Sequence, residues 1–170
     1  PPNIFRIAFQ NVHGLEPSRP STWKSICSDI AANHISAFGA SETNIRWNTN
    51  INKRLLTTSR QLLRNPKITQ SSSTDLGTRT VNQPGGTLLL THDKWTGRAH
   101  TTIIDPSGMG RWSGFRFEGS LSRVVNLLTA YRVCQESIPA QGITNSSFAQ
   151  QSRILTTKLQ SDPNPRQQLL

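Results

Sequence analysis

Two short apolar runs flank one amphipathic helical pattern near the start of the chain, and that order leaves few folds open. Ile4 to Phe9 has the period-two alternation of a half-buried strand, and Asn11 follows at its carboxyl end before a turn at Gly14. A second run, Ile35 to Ala40, leads into Ser41-Glu42-Thr43. Between them Trp23, Ile26, Cys27, Ile30 and Ala31 recur at helical spacing, with Ser21 placed to cap the helix after Pro20. Strand, helix, strand in this order describes a βαβ-type unit. If its strands are parallel neighbours, their carboxyl ends share one sheet edge, which brings Asn11 and Glu42 together.

A carboxamide beside a carboxylate suits a hard divalent ion such as Mg²⁺, which takes few carboxylates, keeps several waters and leaves room for phosphate oxygens. The alternative is local: Glu42 caps a turn and Asn11 bonds its own backbone. His13 lies beside this pair, either facing substrate or facing solvent in the turn. His34 closes the first helix, where a cation suits the helix dipole, and His92 and His100 show no ligand spacing.

Later segments extend the pattern. Gly85-Gly86 precedes the strand-like Thr87-Leu88-Leu89-Leu90, and Val124 to Tyr131 ends Leu-Thr-Ala-Tyr. Ala99 to Ile104 and Ser113 to Phe117 read as a hairpin around Asp105-Pro106 and Gly108-Met109-Gly110, with Phe115 and Phe117 facing the core.

Asn11-Val12-His13-Gly14-Leu15 after the first strand, Ser41-Glu42-Thr43 after the second, the Gly85-Gly86 strand and the strand ending at Tyr131 together resemble the endonuclease/exonuclease/phosphatase superfamily. That group includes abasic-site endonucleases, deoxyribonuclease-like enzymes and the endonucleases of non-LTR retrotransposons. The resemblance implies an α+β fold, a four-layer α/β/β/α sandwich, and a Mg²⁺- or Mn²⁺-dependent phosphodiesterase or phosphomonoesterase. By position it implies that Glu42 is the principal metal ligand, that Asn11 orients phosphate and metal, and that Tyr131 contacts the phosphate. The match departs at Arg132-Val133-Cys134, where relatives often continue with Val-Pro.

The same resemblance calls for an Asp-x-Asn at the end of a later strand and an Asp-His pair. Asp162-Pro163-Asn164 fits the first only as a string, because it follows a helical pattern and lacks an apolar strand. Thr91-His92-Asp93 has the right residue types in the wrong order, and reads as a strand end entering a turn. Ser147 to Leu159 forms a helical stripe through Phe148, Ser152, Leu155 and Leu159, and Asn164-Pro165 then marks a fresh helix start. The expectation is a single domain over 1–170, truncated at its carboxyl side and inactive alone.

Charge points to an acidic partner. The chain has 19 Lys and Arg against 9 Asp and Glu, a formal net charge of +10, which favours polyanions. No acidic residue falls between Glu42 and Asp75, whereas Arg46, Lys53, Arg54, Arg60, Arg64 and Lys67 do. On a helix over 51–64, Lys53, Arg60 and Arg64 share a face opposite Ile51, Leu55 and Leu62. The stripe is either a phosphate-binding face or a solvated one, Trp47 either stacks on a base or packs at an edge, and Arg111-Trp112 is a further candidate contact. DNA hydrolysis is the leading reading. A binding remnant without catalysis and an inositol-phosphate phosphatase remain beside it.

Cys27 and Cys134 are too few for a disulfide framework or zinc site, so reduced thiols and an intracellular compartment are expected, nuclear if the partner is DNA. No apolar run is long enough to span a membrane, and Pro-Pro-Asn at the start carries no signal pattern. Residues 69–80 read as a loop or weak strand pair, and 135–147 as a polar connection beside the expected site.

Overall fold

The computed structural model describes residues 4–15, 20–75, 83–134, 146–160 and 164–166. The βαβ unit forms as its pattern requires. Strand β1 (Ile7–Asn11) leads into helix α1 (Pro20–Ala32), which returns the chain to β2 (Ala37–Ser41), parallel to β1. After α2 (Thr49–Arg60) come β3 (Lys67–Ser71) and β4 (Thr87–Thr91), completing a sheet of order β1-β2-β4-β3 in which β4 is antiparallel to both its neighbours. Strands β5 (Ala99–Ile104), β6 (Trp112–Glu118) and β7 (Val124–Ala130) make a second, antiparallel sheet.

Alternation along the strands explains how the elements pack. On β4, Leu88 and Leu90 join Phe38, Ala40, Trp23, Cys27, Ile30 and Leu55 in a core beneath α1 and α2. Leu89 points the other way and meets Ala99, Phe115 and Phe117 of the second sheet. All five residues of β2 and of β4 are buried, as befits strands covered on both faces. The anticipated stripe of α1 is thus the buried one. Trp23 adds a polar lock to it, donating its indole N–H to the Leu55 carbonyl at 3.2 Å and to Ser59 Oγ at 3.0 Å on α2.

Several boundaries differ from the sequence reading. Helix α1 begins at Pro20, so Ser21 lies inside the first turn rather than at the cap; proline's fixed φ suits the first helical position. Helix α2 starts earlier and stops sooner than expected. Asn48 caps it by accepting from the Ile51 N–H at 2.9 Å, and it ends at Arg60. Leu62 is therefore exposed beyond the helix while Leu63 is buried. Residues 67–71 form β3, paired with β4 along its length, so 69–71, the start of the stretch 69–80 read as a loop or weak strand pair, are strand.

Helix α3 (Ser147–Thr157), capped by Ser146, buries Gln150, Gln151, Ile154 and Leu155; of the stripe expected through Phe148, Ser152, Leu155 and Leu159, Leu155 alone is buried. Ile154 and Leu155 close on Met109 in the β5–β6 loop. Val124 and Leu128, on the outward face of β7, stay 41% and 46% exposed. Among the described residues no helix covers that face, so the fourth layer of the expected sandwich is not seen there. Residues 76–80, 135–145, 161–163 and 167–170, which include parts of the two anticipated loops and the residues after the last helix start at Asn164-Pro165, lie outside the described residues.

Candidate active site

Parallel pairing of β1 and β2 in the register Ile7↔Ala37 to Asn11↔Ser41 sets Asn11 and Glu42 at one edge. Backbone bonding continues past both strands. Val12 N–H donates to Ser41 O at 3.0 Å, Gly14 N–H to Glu42 O at 2.7 Å and Leu15 N–H to Thr43 O at 2.8 Å. Those bonds hold a turn that local preference alone resists. His13, Glu42 and Asn44 have φ of 47°, 52° and 53°, a region that costs a non-glycine residue about 1 kcal/mol or more.

The Gly85-Gly86 turn braces Glu42 from the other side. Asn44 N–H donates to Gly85 O at 2.8 Å, and Gly85 N–H donates back to Asn44 Oδ1 at 2.8 Å. Gly86, at φ 83°, lies where a Cβ would fall 2.8 Å from Thr43 Oγ1 and 3.0 Å from Ser71 O. Only glycine fits there, which explains the doublet before β4.

Tyr131 arrives from the second sheet, directly after β7, its backbone N–H held by Arg111 O at 2.7 Å. Burial, the nearby Glu42 carboxylate and the hydrogen bond its hydroxyl gives to Glu42 together push its pKa up to about 12, while a bond from Ser147 on α3 works the other way. A relay therefore runs Ser147, Tyr131, Glu42. His13 Nδ1 stands 3.3 Å from Glu42 Oε2, with the His13 side chain 92% exposed and that of Glu42 20%.

Tyr131 is the chain's single tyrosine, so tyrosinate absorbance reports this contact alone. Glu42→Gln should lower the Tyr131 pKa from about 12 toward the usual 10, and Ser147→Ala should raise it. An unchanged titration in Glu42→Gln would separate the two residues. Because the folded state holds the phenol neutral above its ordinary range, the stability gained is full below pH 10 and is lost as pH climbs toward 12.

Asn11 also does the local work named as its alternative, its Oδ1 accepting from the His13 N–H at 3.0 Å. That leaves the carboxamide oxygen one further lone pair. Among the described residues no group of three or more His, Cys, Asp or Glu side chains could hold a metal ion together. One carboxylate with an amide oxygen and a phenol does not fit a closed zinc-type cage. It fits a hard divalent ion that keeps most of its water.

The basic residues are less united. Arg46, Lys53 and Arg60 are exposed, the last two on α2. Arg64 falls beyond the helix end, 3.8 Å from Asp93, so the three-residue stripe does not form as one helical face. Arg111 is 7% exposed, its Nε 3.5 Å from buried Asp105 and its guanidinium 4.6 Å from the Trp112 ring. It is a structural residue of the β5–β6 loop and does not face a polyanion, because Asp105 claims it. His92 is likewise engaged, its Nε2 2.8 Å from Ile35 O. Asn164 accepts from the Arg166 N–H at 3.0 Å, a capping contact, while Asp162 and Pro163 lie outside the described residues. Cys27 is buried and Cys134 exposed, both as free thiols.

Sequence reasoning missed Asn44 and Ser147. Asn44 follows the Ser-Glu-Thr run directly, and its tolerance of positive φ was the available signal. Ser147 stands after a long polar stretch that gives no register.

No family model matches the sequence, and no curated protein matches it. Among solved structures the chain is similar to an endonuclease/exonuclease/phosphatase family protein from Leptotrichia buccalis C-1013-b, with 15% identity and a TM-score of 0.52. The match covers 90% of this chain and 62% of that one, so the chain spans a little under two thirds of its neighbour's length. With two sheets joined at an edge that carries Asn11, Glu42 and Tyr131, this chain has the endonuclease/exonuclease/phosphatase fold.

Proposed function

We propose that the β1–β2 edge is the cation- and phosphate-binding part of a site for phosphodiester hydrolysis, with DNA as substrate. The observation that carries this reading is the convergence on Glu42: a carboxylate at the joint strand edge, Asn11 beside it, and the Tyr131 hydroxyl donating to it from the other sheet. Glu42 would hold Mg²⁺ or Mn²⁺, with the Asn11 carboxamide orienting a phosphate oxygen. When bound, such an ion neutralises charge on the phosphate.

The chain's own groups have limited proton chemistry. Tyr131, with its pKa near 12, stays protonated at neutral pH and serves as a hydrogen-bond donor, not a base. His13, next to Glu42 and open to solvent, is the imidazole that stands beside this carboxylate. In this reading the water-activating Asp and the phosphate-binding His of the family's mechanism come from outside the described residues, and the compartment is the one that holds the DNA.

Nicking of supercoiled plasmid by the full gene product tests the activity. It should require Mg²⁺, stop with EDTA and disappear in Glu42→Ala. Metal-independent, salt-sensitive DNA binding without nicking would favour the second reading, a binding module, for which the exposed cations of α2 speak. On either reading, Lys53→Ala with Arg60→Ala should reduce the logarithmic salt slope of duplex binding by about 2, at about 0.9 for each phosphate no longer neutralised. Fluorescence anisotropy across a NaCl series measures that slope. An unchanged slope removes α2 from the interface.

A further inference from the structure

His13 reaches Glu42 across the turn that ends their two strands, and the separation of their ligating atoms is informative. His13 Nδ1 stands 3.3 Å from Glu42 Oε2. Two donors on one small divalent ion, each about 2.0–2.2 Å from it, lie about 3.0–3.4 Å apart in right-angled or tetrahedral coordination. The pair already has the spacing of a chelate.

The backbone sets that spacing. His13 is held at φ 47° with its N–H donating to Asn11 Oδ1 at 3.0 Å, and Glu42, at φ 52°, is fixed through its carbonyl, which accepts from Gly14 N–H at 2.7 Å. The Glu42 carboxylate also accepts from the Tyr131 hydroxyl, the kind of outer contact that orients a metal-binding carboxylate. An ion pair whose histidine side chain is 92% exposed adds little to stability. The same exposure leaves the solvent side of the pair open to waters and a phosphate oxygen.

An imidazole changes the choice of ion. Mg²⁺ is hard and takes oxygen ligands, whereas first-row transition ions accept imidazole nitrogen, more strongly from Mn²⁺ to Co²⁺. Glu42 and Asn11 alone offer oxygen, which discriminates little against Mg²⁺. His13 adds the nitrogen.

Resting on the reading of this edge as a cation site, we propose that His13 Nδ1 and Glu42 Oε2 chelate the ion together, so that the site selects a first-row transition divalent ion over Mg²⁺. Glu42 supplies the charge that any divalent ion requires. His13 sets the preference among ions, and Asn11 holds the histidine backbone in place.

Ion affinity, read without turnover, is the test. For the whole chain, His13→Asn and Glu42→Gln, electron paramagnetic resonance of free Mn²⁺ gives Mn²⁺ binding, and displacement of that Mn²⁺ by Co²⁺ or Mg²⁺ gives the other two affinities. Asparagine tolerates the left-handed backbone, so His13→Asn keeps the turn. The unaltered chain should bind Co²⁺ at least about 100-fold more tightly than Mg²⁺, and His13→Asn should weaken Co²⁺ at least about tenfold while changing Mg²⁺ by less than about twofold. Pulsed resonance of the bound Mn²⁺ should show hyperfine coupling to a ligating nitrogen, lost in His13→Asn. Absence of that coupling in the unaltered chain, or a His13→Asn variant that loses Co²⁺ and Mg²⁺ equally or loses neither, would overturn the proposal. The Glu42 site itself would survive such a result if Glu42→Gln still released every ion. Undiminished binding of all three ions by Glu42→Gln would instead remove the cation site, and the proposal with it.

Discussion

Glu42→Gln is expected to weaken Mn²⁺ binding by at least about 100-fold while leaving the fold intact. Even partners that merely orient a metal ligand cost 10–100-fold when removed, and Glu42 is the carboxylate that the β1–β2 pairing delivers to this edge. The substitution is nearly isosteric and keeps an oxygen for the Tyr131 hydroxyl. It asks nothing new of the backbone, which already holds a non-glycine residue at φ 52°. Electron paramagnetic resonance of free Mn²⁺ measures the affinity directly. Glu118→Gln, at an exposed carboxylate 3.9 Å from Arg116 on the far end of β6, serves as control and should change nothing. Equal loss in both variants would reduce the effect to net charge.

The largest loss of stability is expected from Gly110→Ala. Gly110 has φ 73°, and a Cβ there would lie 2.6 Å from both Ser72 Cα and Ser73 N, against the Ser72 carbonyl carbon as well. A left-handed alanine costs about 1 kcal/mol or more, and a collision with backbone that cannot rotate away adds about 1–3, so at least about 3 kcal/mol is expected. The loop is pinned on both sides: Asp105 Oδ2 accepts from Arg111 N–H at 2.8 Å, and Thr74 N–H donates to Gly108 O at 2.8 Å. Since Arg111 O in turn anchors Tyr131, the same change should also lower the Mn²⁺ affinity. Gly97→Ala meets no atom within 4 Å and should be neutral or slightly stabilising. Urea unfolding of the three proteins gives the comparison, and a Gly110→Ala midpoint equal to wild type would contradict the loop geometry.

What the sequence made legible is what short-range patterns encode. The alternation of Ile4 to Phe9, the helical stripe from Trp23 to Ala31 and the run before Glu42 fix a parallel pair of strands, and parallel pairing alone delivers Asn11 and Glu42 to one edge. Phe115 and Phe117 were visible as an inward pair for the same reason. Other features depend on partners distant in sequence. Arg111 reads as an exposed cation until Asp105 folds back onto it, and Arg64 reads as helical until α2 stops at Arg60. The α3 face was misjudged because it is set by what Met109 offers, and buried Gln150 and Gln151 carry no hydrophobic signal. β3 hid in a Ser- and Thr-rich stretch whose strand character comes from pairing with β4.

Amide line broadening by substoichiometric Mn²⁺, mapped over the whole chain with and without a dithymidine phosphodiester, tests the central claim most directly. Broadening should centre on Asn11, His13, Glu42 and Gly85, strengthen when the phosphodiester is added, and vanish in Glu42→Gln. Broadening spread over other carboxylates, or none at this edge with the phosphodiester present, would contradict a cation- and phosphate-binding site built on Glu42.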